Sequence, residues 1–331
     1  MKKIVGVTVT YNSSHYLERC IKALQNQTYG LYKIIIVDNN SNEEHIQKNL
    51  KLVNDQIDYI TLSENTGGAG GFEKGFERAM CYNPDWIWIM DDDAFPKNDC
   101  LEKLLSSNLV EKENVGCLCP AIYGVDFDAF QVYHHKRISN FLFKDKPMYY
   151  SYNDFPTEFE INANAFVGPL ISKKAINEVG IPNGGLFIYG DDTEYTYRIN
   201  RKFKIYVIKD AIINHRDVTF VDNKKNVNPK IWWKDYYMYR NMFLFIKEFS
   251  HNKIHQLIAS LYLTIFIDLR VFSAFIKPKF RGYRKLRKLI LLKAIKDGKT
   301  NRNGKIIDPA KYNSLLETQI KDLYIYLKQS R

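Results

Sequence analysis

The sequence predicts an α/β protein built on a doubly wound, largely parallel sheet, with a basic helical extension behind it. Three observations carry that expectation. Short β-branched apolar runs alternate with amphipathic stretches through residue 122, as parallel strands and crossover helices do. The ends of those runs carry Asp, Asn and Gly, the residues that open ligand-binding loops at the carboxyl edge of such a sheet. The net positive charge lies in the tail: from residue 277 onward there are 16 Lys/Arg and 4 Asp/Glu, a net of +12, which leaves about −1 for 1–276 out of the formal +11.

In order, Ile4–Thr10 is β-branched and apolar and reads as a buried first strand. Ser13 and Ser14 can cap the helix that follows, in which Leu17, Cys20, Ile21 and Leu24 share one face. Residues 33–37 form a second strand ending in Asp38-Asn39-Asn40-Ser41, 43–54 a helix, and 57–62 a third strand. Asn65-Thr66-Gly67-Gly68-Ala69-Gly70-Gly71-Phe72 reads as a glycine loop running into a helix through Phe76 and Met80. It matches neither the dinucleotide fingerprint nor a P-loop.

Trp86-Ile87-Trp88-Ile89-Met90 is a fourth buried strand that stops at Asp91-Asp92-Asp93 and turns at Phe95-Pro96. Asp91 and Asp93 point the same way if strand geometry continues, which suits a hard divalent cation; a solvated acidic turn is the alternative. Three strand ends, at Asp38, Asn65 and Asp91, along one sheet edge describe a nucleotide cleft with a metal at its lip. A helix follows at 98–110 and a strand at 115–122, while 124–160, rich in Tyr, Phe, His and Asn, forms an irregular wall of the site.

Residues 163–172 are a strand broken by Gly168-Pro169, and Lys173–Val179 is a helix closed by Gly180. The run 186–190 reads as another apolar strand ending in Asp191 and Asp192 at a helix start. There acids can serve chemistry or simply cap the helix. Two further apolar runs, 205–208 and 211–213, lead to Asn214 and His215, a lone histidine of the kind that is more often structural.

The five cysteines show no metal-ligand spacing and read as buried reduced thiols. Lys2-Lys3 precede a short apolar run without a cleavage site, so no export signal is expected. Abundant Tyr and Phe (23 and 20) suit stacking on rings, sugars included.

Taken together, Thr8-Val9-Thr10-Tyr11-Asn12, Val37-Asp38-Asn39-Asn40-Ser41, Asn65-x-Gly67-Gly68-x-Gly70-Gly71-Phe72, Asp91-Asp92-Asp93, Gly190-Asp191-Asp192-x-Glu194 and His215 stand in an order that resembles family-2 glycosyltransferases of the GT-A fold. The resemblance covers about residues 3–250 when Tyr236-Tyr237-x-Tyr239-Arg240-Asn241 is included, and is nearest to bacterial galactofuranosyltransferases, with rhamnosyltransferases second. It implies a GT-A-type doubly wound mixed sheet over 1–225, divided into a nucleotide-sugar half (1–123) and an acceptor half (124–225), with a helical basic region over 226–331.

The resemblance also assigns roles. Asp91 and Asp93 would hold Mn²⁺ or Mg²⁺, with His215 as a further ligand, and Asp192 would be the catalytic base. Thr10, Asn12, Asp38, Asn65, Gly67, Gly68 and Asp92 would contact the UDP-sugar or dTDP-sugar donor. Asp191, where many members carry Glu, receives no definite role. A metal-dependent nucleotidyl or phosphoryl transferase would want a Lys or Arg at the glycine loop, for which Lys74 and Arg78 are the candidates. A non-catalytic sugar-binding module would need neither the metal acids nor Asp192.

Residues 257–267 carry no charge but number only 11, too few to span a bilayer. The cluster Arg284, Lys285, Arg287 and Lys288 follows, interleaved with apolar residues. Acceptors carried on a membrane lipid, which the resemblance implies, make this tail an expected peripheral dock on the anionic cytoplasmic face of the membrane. The acidic cleft offers nothing to nucleic acid.

Overall fold

A computed structural model describes residues 1–126, 128–216 and 227–329, which fall into two compact units. The first takes in Met1–Ile138, Asp145–Gly184 and the described residues 191–216. Its amino-terminal part runs β1 (Ile4–Thr10), α1 (Ser14–Gln25), β2 (Lys33–Asp38), α2 (Glu43–Leu50), β3 (Ile57–Thr61), α3 (Gly67–Met80), β4 (Trp86–Asp91), β5 (Ala94–Pro96) and α4 (Cys100–Ser106). It continues with β6 (Val115–Gly124), β7 (Ala129–Phe130), β8 (His135–Ile138), β9 (Asp145–Pro147), β10 (Glu158–Ile161), β11 (Ala163–Asn164), β12 (Leu170–Ser172), α5 (Lys173–Val179), α6 (Asp191–Asn200) and β13 (Lys204–His215).

Among the described residues the main sheet runs β10-β13-β6-β12-β4-β1-β2-β3. β1, β2, β3 and β4 are mutually parallel where they pair, and β13 is parallel to β6. β12 is antiparallel to both β4 and β6, which makes the sheet mixed. Alternation along the strands explains why both faces are dry. Val5, Val7, Ile35, Val37, Ile87 and Ile89 pack with Phe72, Phe76 and Ala79, while Ile4, Ile34, Ile36, Trp86, Trp88 and Met90 pack with Leu17, Ile21, Leu24 and Leu101. The two apolar runs expected at 205–208 and 211–213 are one strand, with a register shift between Ile208 and Ile212.

Two expectations about local structure are overturned. The glycine stretch is not a loop: Gly67 opens α3, and the glycines lie within its first two turns. A Cβ at Gly71 would sit 2.4 Å from Val9 Cγ1, and one at Gly75 2.4 Å from Val7 Cγ1. These glycines let the helix backbone lie directly on β1. Gly75→Val is therefore expected to cost about 1–3 kcal/mol of stability through overpacking. Urea unfolding measures this; a midpoint equal to that of the parent protein would show that the contact relaxes freely.

The second correction concerns 186–189, which is no strand. A short helical turn at Gly184–Leu186 is followed by Phe187 and Tyr189 at positive φ (65° and 63°) and Gly190 at 84°. The reason lies in the second unit, which comprises Ser139–Lys144, Gly185–Gly190 and the helices of the carboxyl-terminal region. Those are α7 (Trp232–Phe249), α8 (Lys253–Ile276), α9 (Arg284–Lys299), α10 (Pro309–Thr318) and α11 (Ile320–Gln329). Asn241 on α7 donates to the carbonyls of Leu186, Ile188 and Tyr189 at 3.0, 3.0 and 2.7 Å. Strand carbonyls alternate in direction, so three that converge on one amide require a tight loop.

Arg240, fully buried beside Asn241, donates to the carbonyls of Leu186 (2.8 Å) and Gly304 (2.7 Å) and lies against the Tyr237 ring. Tyr236 donates to Asp297, which also pairs with Lys293 and Arg302, so this fully buried carboxylate is satisfied. The helical expectation for the tail thus holds from Trp232 onward, while the expected boundary at 225 lies outside the described residues.

Arg287, expected on a membrane-facing surface, is instead buried at 7% exposure, bonded to Asp235 and set over the Trp232 ring. Its position on the inner face of α9 beside Leu286 explains this. Lys285 and Lys288 are exposed and Arg284 is half-buried.

Candidate active site

The hydrophobic strand β4 carries its last residue, Asp91, to the sheet edge, and β5 returns two residues later to pair antiparallel with β13. That pairing sets His215 opposite Ala94, so the imidazole arrives beside Asp93. Its Nε2 lies 3.4 Å from Asp93 Oδ1, and donor atoms of Asp91, Asp93 and His215 all fall within 4.8 Å of one another.

The other ring nitrogen of His215 is engaged: Nδ1 is 2.9 Å from Gln131 Oε1, which also lies 3.1 Å from His134 Nε2. Nε2 is therefore the atom left for the acid pair. Gly124 leaves room for this arrangement, since a Cβ there would stand 2.7 Å from the Gln131 amide nitrogen. Sequence reasoning missed Gln131. A glutamine in an aperiodic, aromatic-rich stretch carries no spacing signal, and only the β6–β7 return brings it under His215.

Two carboxylates and one imidazole suit Mn²⁺, and the carboxylates suit Mg²⁺. The electrostatics point the same way. Burial above all, then Asp93, Asp92, Asp191 and Asp192, push the Asp91 carboxyl well above the usual carboxylate range. Burial with help from Asp93 pushes Asp92 up to about 7, against the pull of the Thr10 and Ser13 hydroxyls. Ser13 stands at the amino terminus of α1 but makes no side-chain cap bond there.

Asp191, at the start of α6, is also pushed up to about 7, by burial and then by Asp192, while backbone amides of its own turn oppose the shift. A Cβ at Gly68 would lie 4.0 Å from Asp191 Oδ2, so the α3 amino terminus is beside this second acid pair. The two acidic segments, with Asp91 and Asp191 100 positions apart in the chain, thus come together within the first unit.

This has a consequence for pH. Groups whose folded pKa exceeds the unfolded value hold more protons when folded, so they cost the metal-free protein stability as pH rises from about 4 to about 7. A bound cation offsets that cost. The rise in melting temperature on adding Mn²⁺ is expected to be largest at pH 7.5 and to shrink toward pH 5.5; an equal rise at both would contradict the arrangement.

The remaining expected donor contacts form one polar network at the ends of β1, β2 and β3. Asp38, expected to touch the donor, is fully buried and already accepts from the Ser41 amide (2.7 Å), Asn49 (3.0 Å) and Tyr59 (2.6 Å). Its observed work is to hold the turn after β2. Asn12, at φ 53°, takes the Asn42 amide on its side-chain oxygen, and its own amide donates to Ser41 Oγ. Asn65 accepts from the Gly67 amide at 2.8 Å, and Asn39 bridges Thr66 to the Gly67 carbonyl. Thr10 is buried at the end of β1.

On α6, Asp192 Oδ1 accepts from the neighbouring Thr193 amide at 2.6 Å. Glu194 is unavailable for chemistry: it is buried and held by Arg198 through two bonds, at 2.7 and 3.1 Å. A surface depression at the opposite end of these strands is also lined by acids, Asp85, Glu111 and Glu113, but Glu111 pairs with Lys2 and Glu113 with Lys174, and they form no metal-type cluster among the described residues.

A mixed sheet with this strand arrangement, an acidic Asp-x-Asp at the end of β4 and carboxyl-terminal helices defines a GT-A-fold protein. The solved structure of GalNAc-T7 with UDP, GalNAc and Mn²⁺ is similar over 73% of this chain and 52% of that one, with a TM-score of 0.53 and 18% identity. The chain belongs to glycosyltransferase family 2, whose model matches residues 7–180. Galactofuranosyltransferase GlfT1 of Mycolicibacterium smegmatis is 29% identical over 206 residues, 60% of this chain and 65% of the relative, so the match spans just under two thirds of that protein. The dTDP-rhamnosyl transferase RfbF of Shigella flexneri is 25% identical over 251 residues, 74% of this chain and 80% of the relative.

Proposed function

We propose that the protein is an inverting, metal-dependent glycosyltransferase that moves galactofuranose from UDP-galactofuranose onto a hydroxyl of a lipid-linked glycan at the cytoplasmic face of the membrane. The observation that carries this reading is the convergence of Asp91, Asp93 and His215 with Asp191 and Asp192 on one sheet edge. Asp91, Asp93 and His215 would hold Mn²⁺ or Mg²⁺, which when bound supplies Lewis-acid stabilisation of the departing diphosphate. Asn12, Asn65, Gly67 and Gly68 would position the nucleotide, with Thr10 and Asp38 supporting them from beneath, and Asp92 would face the donor sugar.

Asp192 would accept the acceptor hydroxyl's proton as that oxygen attacks the anomeric carbon. One base opposite the leaving group gives a single displacement, and hence inversion, with no sugar–enzyme intermediate. The galactofuranosyl donor rests on the likeness to GlfT1. A rhamnosyl donor is the second reading, favoured by the longer match to RfbF.

Phosphoryl or nucleotidyl transfer is disfavoured by the cations it would need: Lys74 is paired with Glu77 (2.7 Å) and Arg78 with Asp58 (2.5 Å). A non-catalytic sugar-binding module would leave the clustered acids without a use. The test is a screen of UDP-galactofuranose, UDP-galactopyranose and dTDP-rhamnose for Mn²⁺-dependent release of nucleoside diphosphate. Release from none of the three, with and without glycan acceptor, would overturn the reading.

A further inference from the structure

The helix α8 holds the longest apolar surface that the second unit leaves uncovered. It is 24 residues long, so it continues well past the 11-residue uncharged run visible in the sequence, and length alone no longer argues against a span. One side is packed within the unit, through His255, Ala259, Leu263, Ile267 and Ala274. The other side exposes Leu257, Leu261, Ile265, Leu269, Phe272 and Ile276 at 51–68%, spaced three and four residues apart along the full helix.

Charge identifies the occupant. Between residues 253 and 296 there are 11 Lys/Arg and one acid, Asp268. Lys277, Lys279, Arg281, Lys285 and Lys288 are exposed around the carboxyl-terminal end of α8 and the start of α9, and none forms an ion pair among the described residues. An apolar stripe beside unpaired cations matches a surface of acyl chains beneath anionic headgroups.

Depth follows from the same residues. The packed side of α8 is not available to lipid, and Asp268 and Arg270 are exposed in mid-helix, so a spanning position would bury charge in hydrocarbon. We propose that α8 lies in the plane of an anionic membrane at headgroup depth, with its Leu257–Ile276 stripe inserted and the Lys277–Lys288 cations on the lipid phosphates. This deepens the membrane-surface part of the proposed function and rests on that part alone. Vesicle binding is read without any sugar, while Mn²⁺-dependent donor hydrolysis is read in parallel without vesicles, so either can fail by itself.

The test uses the full chain with vesicles of phosphatidylcholine alone or mixed with phosphatidylglycerol. Binding is expected only to the mixed vesicles, and to fall at least about tenfold in Leu261→Glu/Ile265→Glu/Leu269→Glu and in Lys277→Gln/Lys279→Gln/Lys285→Gln/Lys288→Gln. Thermal unfolding verifies that both variants fold. A Leu261→Trp variant supplies a depth reading that needs no loss of function: its emission should be quenched more by bromine near the glycerol end of the acyl chain than by bromine at its far end.

Loss in the charge variant with full binding in the Glu variant would overturn insertion. Stronger quenching at the chain terminus would mean a span and overturn the in-plane position. A lipid-free dimer that the Glu variant converts to monomer, with no vesicle binding, would assign the stripe to a second copy.

Discussion

Replacing Asp192 by Asn is expected to lower turnover by about 10²-fold or more while leaving donor binding intact, the usual consequence of losing a general base. The substitution keeps the side chain's shape, and the Asn oxygen can still accept from the Thr193 amide as Asp192 Oδ1 does at 2.6 Å. A helix-capping role therefore predicts almost no change, and a base role predicts a large one. Glu194 cannot compensate, because Arg198 holds both of its oxygens.

Asp191 is the informative control. Its carboxyl is pushed up to about 7 by burial and by Asp192, so near neutrality it is partly protonated and already takes backbone amides of its own turn. Calorimetric titration with UDP, run beside steady-state kinetics on Asp192→Asn and Asp191→Asn, separates binding from chemistry. Near-normal turnover in Asp192→Asn would move the base to Asp191.

The alternating elements from Ile4 to Gly124 were legible because each buried strand is an uninterrupted apolar run, and such runs show in sequence whatever packs on them. The acids at the end of β4 were legible for the same reason: charge after a buried strand marks the point where the chain leaves the sheet. What was not legible depends on partners far along the chain. The glycines of α3 look like a loop until Val7 and Val9 are seen against them.

Residues 186–189 have the composition of a strand, and only Asn241, more than fifty residues later, turns their carbonyls inward. Arg287 sits in a run of cations, yet Asp235 and Trp232 claim it. Gln131 is the same lesson within the site. Its identity says little, and its place under the His215 ring comes from a strand return with no sequence signature.

Asp93→Ala is expected to abolish transfer and Mn²⁺ binding together, and excess chelator should reproduce the loss in the unaltered protein. The expectation follows from the donor set: removing Asp93 takes away the carboxylate whose oxygen faces His215 Nε2 at 3.4 Å, leaving Asp91 and an imidazole alone. Mn²⁺ binding followed by electron paramagnetic resonance gives a readout that does not depend on turnover. Gln131→Leu refines the argument, because it leaves all three donor side chains in place and removes only the group on His215 Nδ1. Loss of such an orienting partner typically weakens a metal site by about 10–100-fold, so this variant should need more Mn²⁺ for the same rate and recover when it is supplied. Asp93→Ala should show no such recovery. Full activity in excess chelator would remove the metal from the mechanism, and a Gln131→Leu titration superimposable on that of the parent protein would remove His215 from the ligand set.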